Sequence, residues 1–240
     1  MRLLKPMGSY LQNKANKYLV LGVVCLVIFL VLLATSIDVL PLYVDVGRYA
    51  TPRGIALGLL VVGWFYFLLR EYPSWRAGIA GERKVIKTLS SALSDEYSII
   101  NDIMLKSGVH GNIDHIVVGP TGIFVIETKN HKGRISYYGD NWEGMGRGRP
   151  PSSQVRINAM RIKKILDSSE GLKSKAFYIQ GVVVFANDKA ELIEKKPPGH
   201  IKVKRIDELA AYIKSEPKRF NAVEIRQIEM KIQDNIRKHQ

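Results

Sequence analysis

The sequence predicts an α/β domain, a mixed β-sheet flanked by helices, preceded by a hairpin of two apolar helices. Three observations lead there. Segments of helical period and short apolar runs follow one another as helix, three or four strands, helix, strand, short strand, helix. The short runs are dominated by Ile, Val and Phe, which suit strands. Two longer runs, both free of charge, come before all of this. The part that follows them, about 165 residues, is long enough to bury a proper core.

The first apolar run extends from Tyr18 to Ile37 and contains no charged residue. As a helix of about twenty residues it would rise roughly 30 Å, the thickness of a bilayer core. The second, Gly54 to Leu69, is shorter, with Trp64-Phe65-Tyr66 as an interfacial anchor. Residues 18–37 and 54–70 are therefore expected to be transmembrane helices joined by an external loop, 38–53. Arg2, Lys5, Lys14 and Lys17 precede the first run, and Arg70, Arg76, Arg83 and Lys84 follow the second. That distribution predicts a multi-pass cell-membrane protein with both termini cytoplasmic and residues 1–17 as a basic tail.

The periodicity of Val85, Ile86, Leu89 and Leu93 predicts a helix from about Gly78 to Leu93. Tyr97 to Ile100 reads as a strand that Asn101-Asp102 ends. Ile113 to Val118 and Ile123 to Glu127 read as two strands around a tight turn, Gly119-Pro120-Thr121-Gly122. Arg134 to Tyr138 is a further strand, and Asn141-Trp142-Glu143 a brief one inside a Gly- and Pro-rich loop. Ser152 or Ser153 is placed to cap a helix that runs to about Leu166. Phe177 to Phe185, with Val182-Val183-Val184 at its centre, reads as a strand buried on both faces. Lys195 to Gly199 reads as a polar turn, Ile201 to Val203 as a short strand and Ile206 to Ile213 as a helix. The amphipathic pattern from Phe220 to Arg237 predicts a closing helix. The expected division is a domain over 78–215 and a C-terminal helical segment over 216–240.

With 36 basic and 22 acidic residues the formal net charge is +14. Such a balance favours polyanions, either nucleic acid or an anionic lipid bilayer, and does not choose between them. The single cysteine, Cys25, excludes a disulfide framework within one chain. The five histidines form no compact ligand cluster, which argues against a zinc enzyme.

The chemistry concentrates on the predicted hairpin. Glu127 ends the run Ile123-Phe124-Val125-Ile126, and Asp114 interrupts another apolar stretch. A carboxylate in such surroundings needs a compensating partner. Side chains two apart on a strand share a face, so Glu127 and Lys129 point the same way. If the turn is centred on Pro120-Thr121, Asp114 falls opposite Glu127. A divalent cation resolves the repulsion of two such carboxylates, and oxygen ligands suit Mg²⁺ or Mn²⁺. Lys129 would then orient a water or neutralise charge on a phosphodiester. Arg147 and Arg149 in the Gly-rich loop, with Lys132 and Arg134, are candidate phosphate contacts. Arg156 belongs to a second candidate surface on the later helix.

These residues resemble the nuclease-related domain family, which sits in the PD-(D/E)xK nuclease superfamily. The resemblance is carried by Gly81-Glu82, by Gly111-Asn112-Ile113-Asp114-His115, and by the stretch from Val118 through Thr128-Lys129. Asn141-Trp142 and the helix start from Pro151 to Gln154 also fit. It implies a restriction-endonuclease-like core. Asp114 and Glu127 would bind the metal, Lys129 would be the catalytic lysine, Glu82 would add a carboxylate, and Gln154 would be a polar helper. Asp114 follows Ile113 rather than the proline of the superfamily signature. The implied activity is metal-dependent hydrolysis of nucleic acid, DNA above all, with an inactive nucleic-acid-binding or membrane scaffold module as the alternative. Further protein partners and the oligomeric state are not legible.

Overall fold

The structure is a computed structural model that describes residues 1–5, 16–28, 52–66, 68–69, 72–106, 112–146, 148–168 and 177–236, without the side chains of 52–57. It divides into two compact units. One comprises Met1–Gly8 and Ala80–Gln240; the other is Ser9–Ile79.

The Ser9–Ile79 unit contains helix α1, described over residues 16–28, and helix α2, Pro52–Tyr66. Trp64 lies against the bare backbone of Gly22, where an added Cβ would stand 1.6 Å from the indole Nε1. Tyr18 meets Trp75 edge to face, with ring centroids 5.7 Å apart. Among the described residues no helix is long and apolar enough to cross a membrane. This overturns the expected pair of transmembrane helices and the cell-membrane localisation drawn from them. The physical reason lies in α2: its 15 residues rise only about 22 Å, short of a bilayer core. Residues 29–51, which hold the rest of the first predicted span and most of the external loop, lie outside the described residues.

The larger unit is an α/β fold built on a mixed six-stranded sheet of order β1-β2-β3-β4-β7-β9. The strands are β1 (Arg2–Lys5), β2 (Ser98–Ile103), β3 (Ile113–Gly119), β4 (Gly122–Lys129), β7 (Ile179–Phe185) and β9 (Lys202–Arg205). β3 runs antiparallel to both of its neighbours, β2 and β4; β1 joins β2, β7 joins β4, and β9 joins β7 in parallel. A second sheet, β6-β5-β8, uses β5 (Gly133–Tyr138), β6 (Asn141–Glu143) and β8 (Ala190–Lys196).

Alternation along the strands divides the core into two layers. Val117, Phe124, Ile126, Val182 and Val184 face one way, onto Val85 and Leu89 of α3 (Tyr72–Ala92) and Leu209 and Ile213 of α5 (Ile206–Ser215). Ile116, Val118, Ile123, Val125 and Val183 face the other way, onto Val155, Ile162 and Leu166 of α4 (Pro151–Asp167) and Ile225, Ile228 and Ile232 of α6 (Ala222–Asp234). Period 2 in the strands and a helical stripe on either side explain why the sheet is covered on both faces.

Three strands depart from the sequence reading. β2 runs on through Asn101 and Asp102 to Ile103, where that pair was expected to end it, because Ile103 still pairs with Ile113. Residues 2–5, expected in a basic tail, form edge strand β1. Residues 190–196 form β8, where only a polar turn at the far end was expected. α4 begins at Pro151, and neither Ser152 nor Ser153 caps it; its N-cap is Pro150. Proline tolerates that end because it has no N–H to leave unsatisfied.

Candidate active site

The β3–β4 hairpin positions the central residues. Its register runs from Gly119↔Gly122 to His115↔Ile126, so the next positions in line are Asp114 and Glu127. The turn is held from outside. Pro120 O accepts from Arg219 N at 2.7 Å, and Thr121 Oγ1 donates to Ile213 O at 2.8 Å. Gly119 is required by close approach: a Cβ there would lie 2.1 Å from Cδ1 of buried Tyr97.

Lys129 follows Glu127 on the same face of β4. Its ammonium donates to Glu127 Oε1 at 2.7 Å and to Gln154 Oε1 at 3.0 Å. α4 supplies Gln154 from the first turn, so the lysine bridges a strand carboxylate and a helix amide. Asp114 turns its Oδ2 to the backbone N–H of Thr128, 2.7 Å away. Glu82 arrives from α3. The preceding Gly81 allows the helix to run close to the end of β4, since a Cβ there would sit 2.9 Å from Cβ of Asn130.

The electrostatics tie the carboxylates together. Burial raises Asp114 well above the usual carboxylate range; Glu127 and Glu82 raise it further, against the Thr128 hydrogen bond and Lys129. Burial also pushes Glu82 up to about 7, reinforced by Asp102 and Glu127 and opposed by Lys129. Like charges at close quarters disfavour ionisation, and a cation placed among them would reverse that preference. The donor set, carboxylate oxygens from β3, β4 and α3, fits a hard divalent ion. As the side chains stand, no three His, Cys, Asp or Glu among the described residues are grouped to hold a metal. Two of the carboxylates are engaged internally, Glu127 by Lys129 and Asp114 by Thr128.

The structure thus brings Glu82, Asp114, Glu127, Lys129 and Gln154 into one neighbourhood. The expected phosphate-contact residues are placed differently. Lys132, Arg134 and Arg149 are exposed, and Arg147 lies outside the described residues. Arg156 is held bidentately by Asp140, at 2.8 and 3.0 Å, and its charge is partly spent there. Trp142 donates Nε1–H to Ser152 Oγ at 3.0 Å and stacks between Tyr137 and Phe185. Sequence reasoning missed Asp102, whose charge acts on Glu82 and whose backbone adopts φ 47°. The only signal was a carboxylate in an apolar neighbourhood, and the Asn-Asp pair reads equally well as a strand end.

The family described as nuclease-related domain matches residues 77–186. An uncharacterized protein of Bacillus anthracis is 38% identical over 68 residues, which cover 28% of this chain and 32% of that protein. The chain therefore spans about a third of that relative's length. The solved structure of SfsA from Pyrococcus furiosus, in complex with Ca²⁺, aligns with 54% of this chain and 55% of its own at 15% identity, with a TM-score of 0.28. A likeness of that size carries no argument about fold or chemistry.

Proposed function

With residues 77–186 a nuclease-related domain, we propose that the chain is a metal-dependent nuclease that hydrolyses phosphodiester bonds of nucleic acid, DNA in particular, on a restriction-endonuclease-like core. The observation that carries this reading is the bridge from Lys129 Nζ to Glu127 Oε1 and Gln154 Oε1 beside Asp114. Asp114, Glu127 and Glu82 would hold the ion, Mg²⁺ or Mn²⁺. The ion would supply Lewis-acid polarisation of the phosphoryl oxygen and a more acidic water.

The remaining work falls to the chain itself. Lys129, with a side chain 20% exposed, sits where a lower dielectric strengthens its attraction to nearby negative charge yet solvent and substrate can reach it. It neutralises negative charge that grows on the phosphate as water attacks. Gln154 accepts from the ammonium and fixes its direction, so fewer rotamers have to be frozen when substrate arrives. Glu127, 9% exposed at its side chain, holds the lysine from the other side. Exposed Lys132, Arg134 and Arg149 supply candidate contacts to backbone phosphates, which position a strand without reading its sequence.

The test is cleavage of labelled single- and double-stranded DNA and RNA by the full chain with Mg²⁺, Mn²⁺ or EDTA, with Lys129→Ala alongside. Metal-dependent cutting lost in the variant supports the reading. Salt-sensitive binding with no cutting under any metal would overturn it in favour of a binding module.

A further inference from the structure

The chain around Asp114 is gripped on both sides, and both grips lead back to Lys5 of β1. β2 pairs with β3 at Asn101↔His115 and at Ile103↔Ile113, so Asp102 falls opposite Asp114. Directly after Asp114 comes His115, fully buried, with its Nδ1 2.8 Å from Asn101 Oδ1. Asn101, also fully buried, donates Nδ2–H to Lys5 O at 2.9 Å. Two residues before Asp114 comes Asn112, which donates Nδ2–H to Asp102 Oδ1 at 2.7 Å. Asp102 O in turn accepts from the Lys5 ammonium. The carbonyl and the ammonium of Lys5 thus hold the two β2 residues that fix β3 on either side of Asp114.

β1 can pass a displacement on to the site because nothing lies beyond it in the sheet. It is four residues long and forms the outermost strand on that side. Its register shifts between Leu3 and Lys5, which sets Lys5 opposite Ile100. Bulges of this kind re-aim side chains, and here the Lys5 side chain runs along β2 to Asp102. Burial holds its ammonium below the usual lysine range, against the attraction of Asp102. Arg2 fixes the other end of β1 through Glu229, so the two Lys5 bonds are the part of the strand that bears on the site. A shift of about 1 Å at a group that must meet a metal or a phosphate costs on the order of 100-fold in rate.

We propose that Lys5 and Asn101 are positioning residues of the nuclease site: acting through β2, they set Asp114 for the metal and the phosphodiester while touching neither. This inference rests on the nuclease reading of the same site.

The experiment compares the full chain with Lys5→Met, Lys5→Arg, Asn101→Ala and Gly119→Ala. Mn²⁺ affinity is read by electron paramagnetic resonance without substrate, and DNA cleavage is assayed well below each protein's melting temperature in EDTA. Lys5→Met removes the ammonium and keeps the carbonyl; Lys5→Arg restores a donor for Asp102 O. Gly119→Ala, at the turn end of the hairpin, controls for lost stability alone. Lys5→Met is expected to bind Mn²⁺ at least threefold more weakly and to lower kcat about tenfold with KM within twofold. Lys5→Arg is expected to recover both. Asn101→Ala is expected to lose about 100-fold in kcat. Should it fail to fold, the two Lys5 variants decide alone. Gly119→Ala is expected to melt lower yet bind and cut as the wild type does. Wild-type affinity and cleavage in Lys5→Met would overturn the positioning role and leave the nuclease reading standing. An equal loss in Lys5→Met, Lys5→Arg and Gly119→Ala would do the same. No cleavage by the wild type with any metal would overturn both.

Discussion

Nδ1 of His115 stands 2.8 Å from Oδ1 of Asn101. Asn101 spends its Nδ2–H on Lys5 O at 2.9 Å, so its Oδ1 is the acceptor and His115 carries its proton on Nδ1. Nε2 is buried with no partner, and burial drives the imidazole down to about 3. A neutral, enclosed histidine of this kind links β1 and β2 to β3 and is poorly placed to be a base, although it follows Asp114 directly. Its folded value lies below the ordinary 6.5, so only the unfolded chain takes up a proton between those limits. The stability it contributes is complete above about pH 6.5 and is lost as pH falls toward 3, at about 1.4 kcal/mol per pKa unit. His115→Gln keeps an N–H for Asn101 but cannot titrate. Urea unfolding from pH 7 to 4 should show wild-type stability falling more steeply than that of the variant. Parallel curves would mean that the imidazole is solvated.

Glu82 has the opposite sign. Its folded value, about 7, lies above the ordinary 4.5, so the folded state holds the proton more tightly. Its ionisation destabilises the fold as pH rises from about 4.5 to 7, and the penalty is complete above that. In EDTA, Glu82→Gln should match the wild type at pH 4.5 and exceed it by about 3 kcal/mol at pH 8. A variant less stable than wild type at pH 8 would show that the carboxylate is stabilised there by a cationic partner.

Arg2 of β1 reaches Glu229 of α6 at 2.6 Å, and the Glu229 side chain is only 7% exposed. Arg2→Ala leaves a buried charge without its partner and should cost about 1–3 kcal/mol in urea unfolding. Combining it with Glu229→Gln should recover part of the loss. If the double variant is worse than the sum of the two singles, the carboxylate has another role.

Gly119→Ala places a methyl 2.1 Å from Tyr97 Cδ1. Tyr97 is itself fixed through its hydroxyl, 3.2 Å from Thr121 Oγ1. The ring has no free direction in which to retreat, so the melting temperature should drop by the equivalent of about 1–3 kcal/mol. A neutral result would show that the turn shifts as a body.

How far the fold was legible depends on which signal each segment carries. The hairpin from Ile113 to Lys129 was readable because apolar strands flank a Gly-Pro-Thr-Gly turn, and β7 because Val182-Val183-Val184 leaves little alternative. β1 was not: Arg-Leu-Leu-Lys is too short to show a period, and its basic ends resemble a tail. β8, Ala-Glu-Leu-Ile-Glu-Lys-Lys, is mostly exposed along its outer half and lacks a clear apolar face. The two expected membrane spans were read from charge-free apolar runs with aromatic and basic flanks, whereas α2 stops at Tyr66. The closeness of Asp114, Glu127 and Lys129 was visible through their spacing. Asp102 was not, because a left-handed φ and a cross-strand register exist only in three dimensions.

β1 reaches its place by a long detour. Its strand partner, β2, begins at Ser98, and the chain between them passes through the whole Ser9–Ile79 unit. The strand is four residues long, and covalent tethering gives it a local concentration that a free peptide of that length would not match. A single backbone cut between residues 8 and 9 would turn it into a separate short peptide, free to leave by dilution. Asn101 would then lose Lys5 O, Glu229 would lose Arg2, and β2 would become the exposed edge of the sheet.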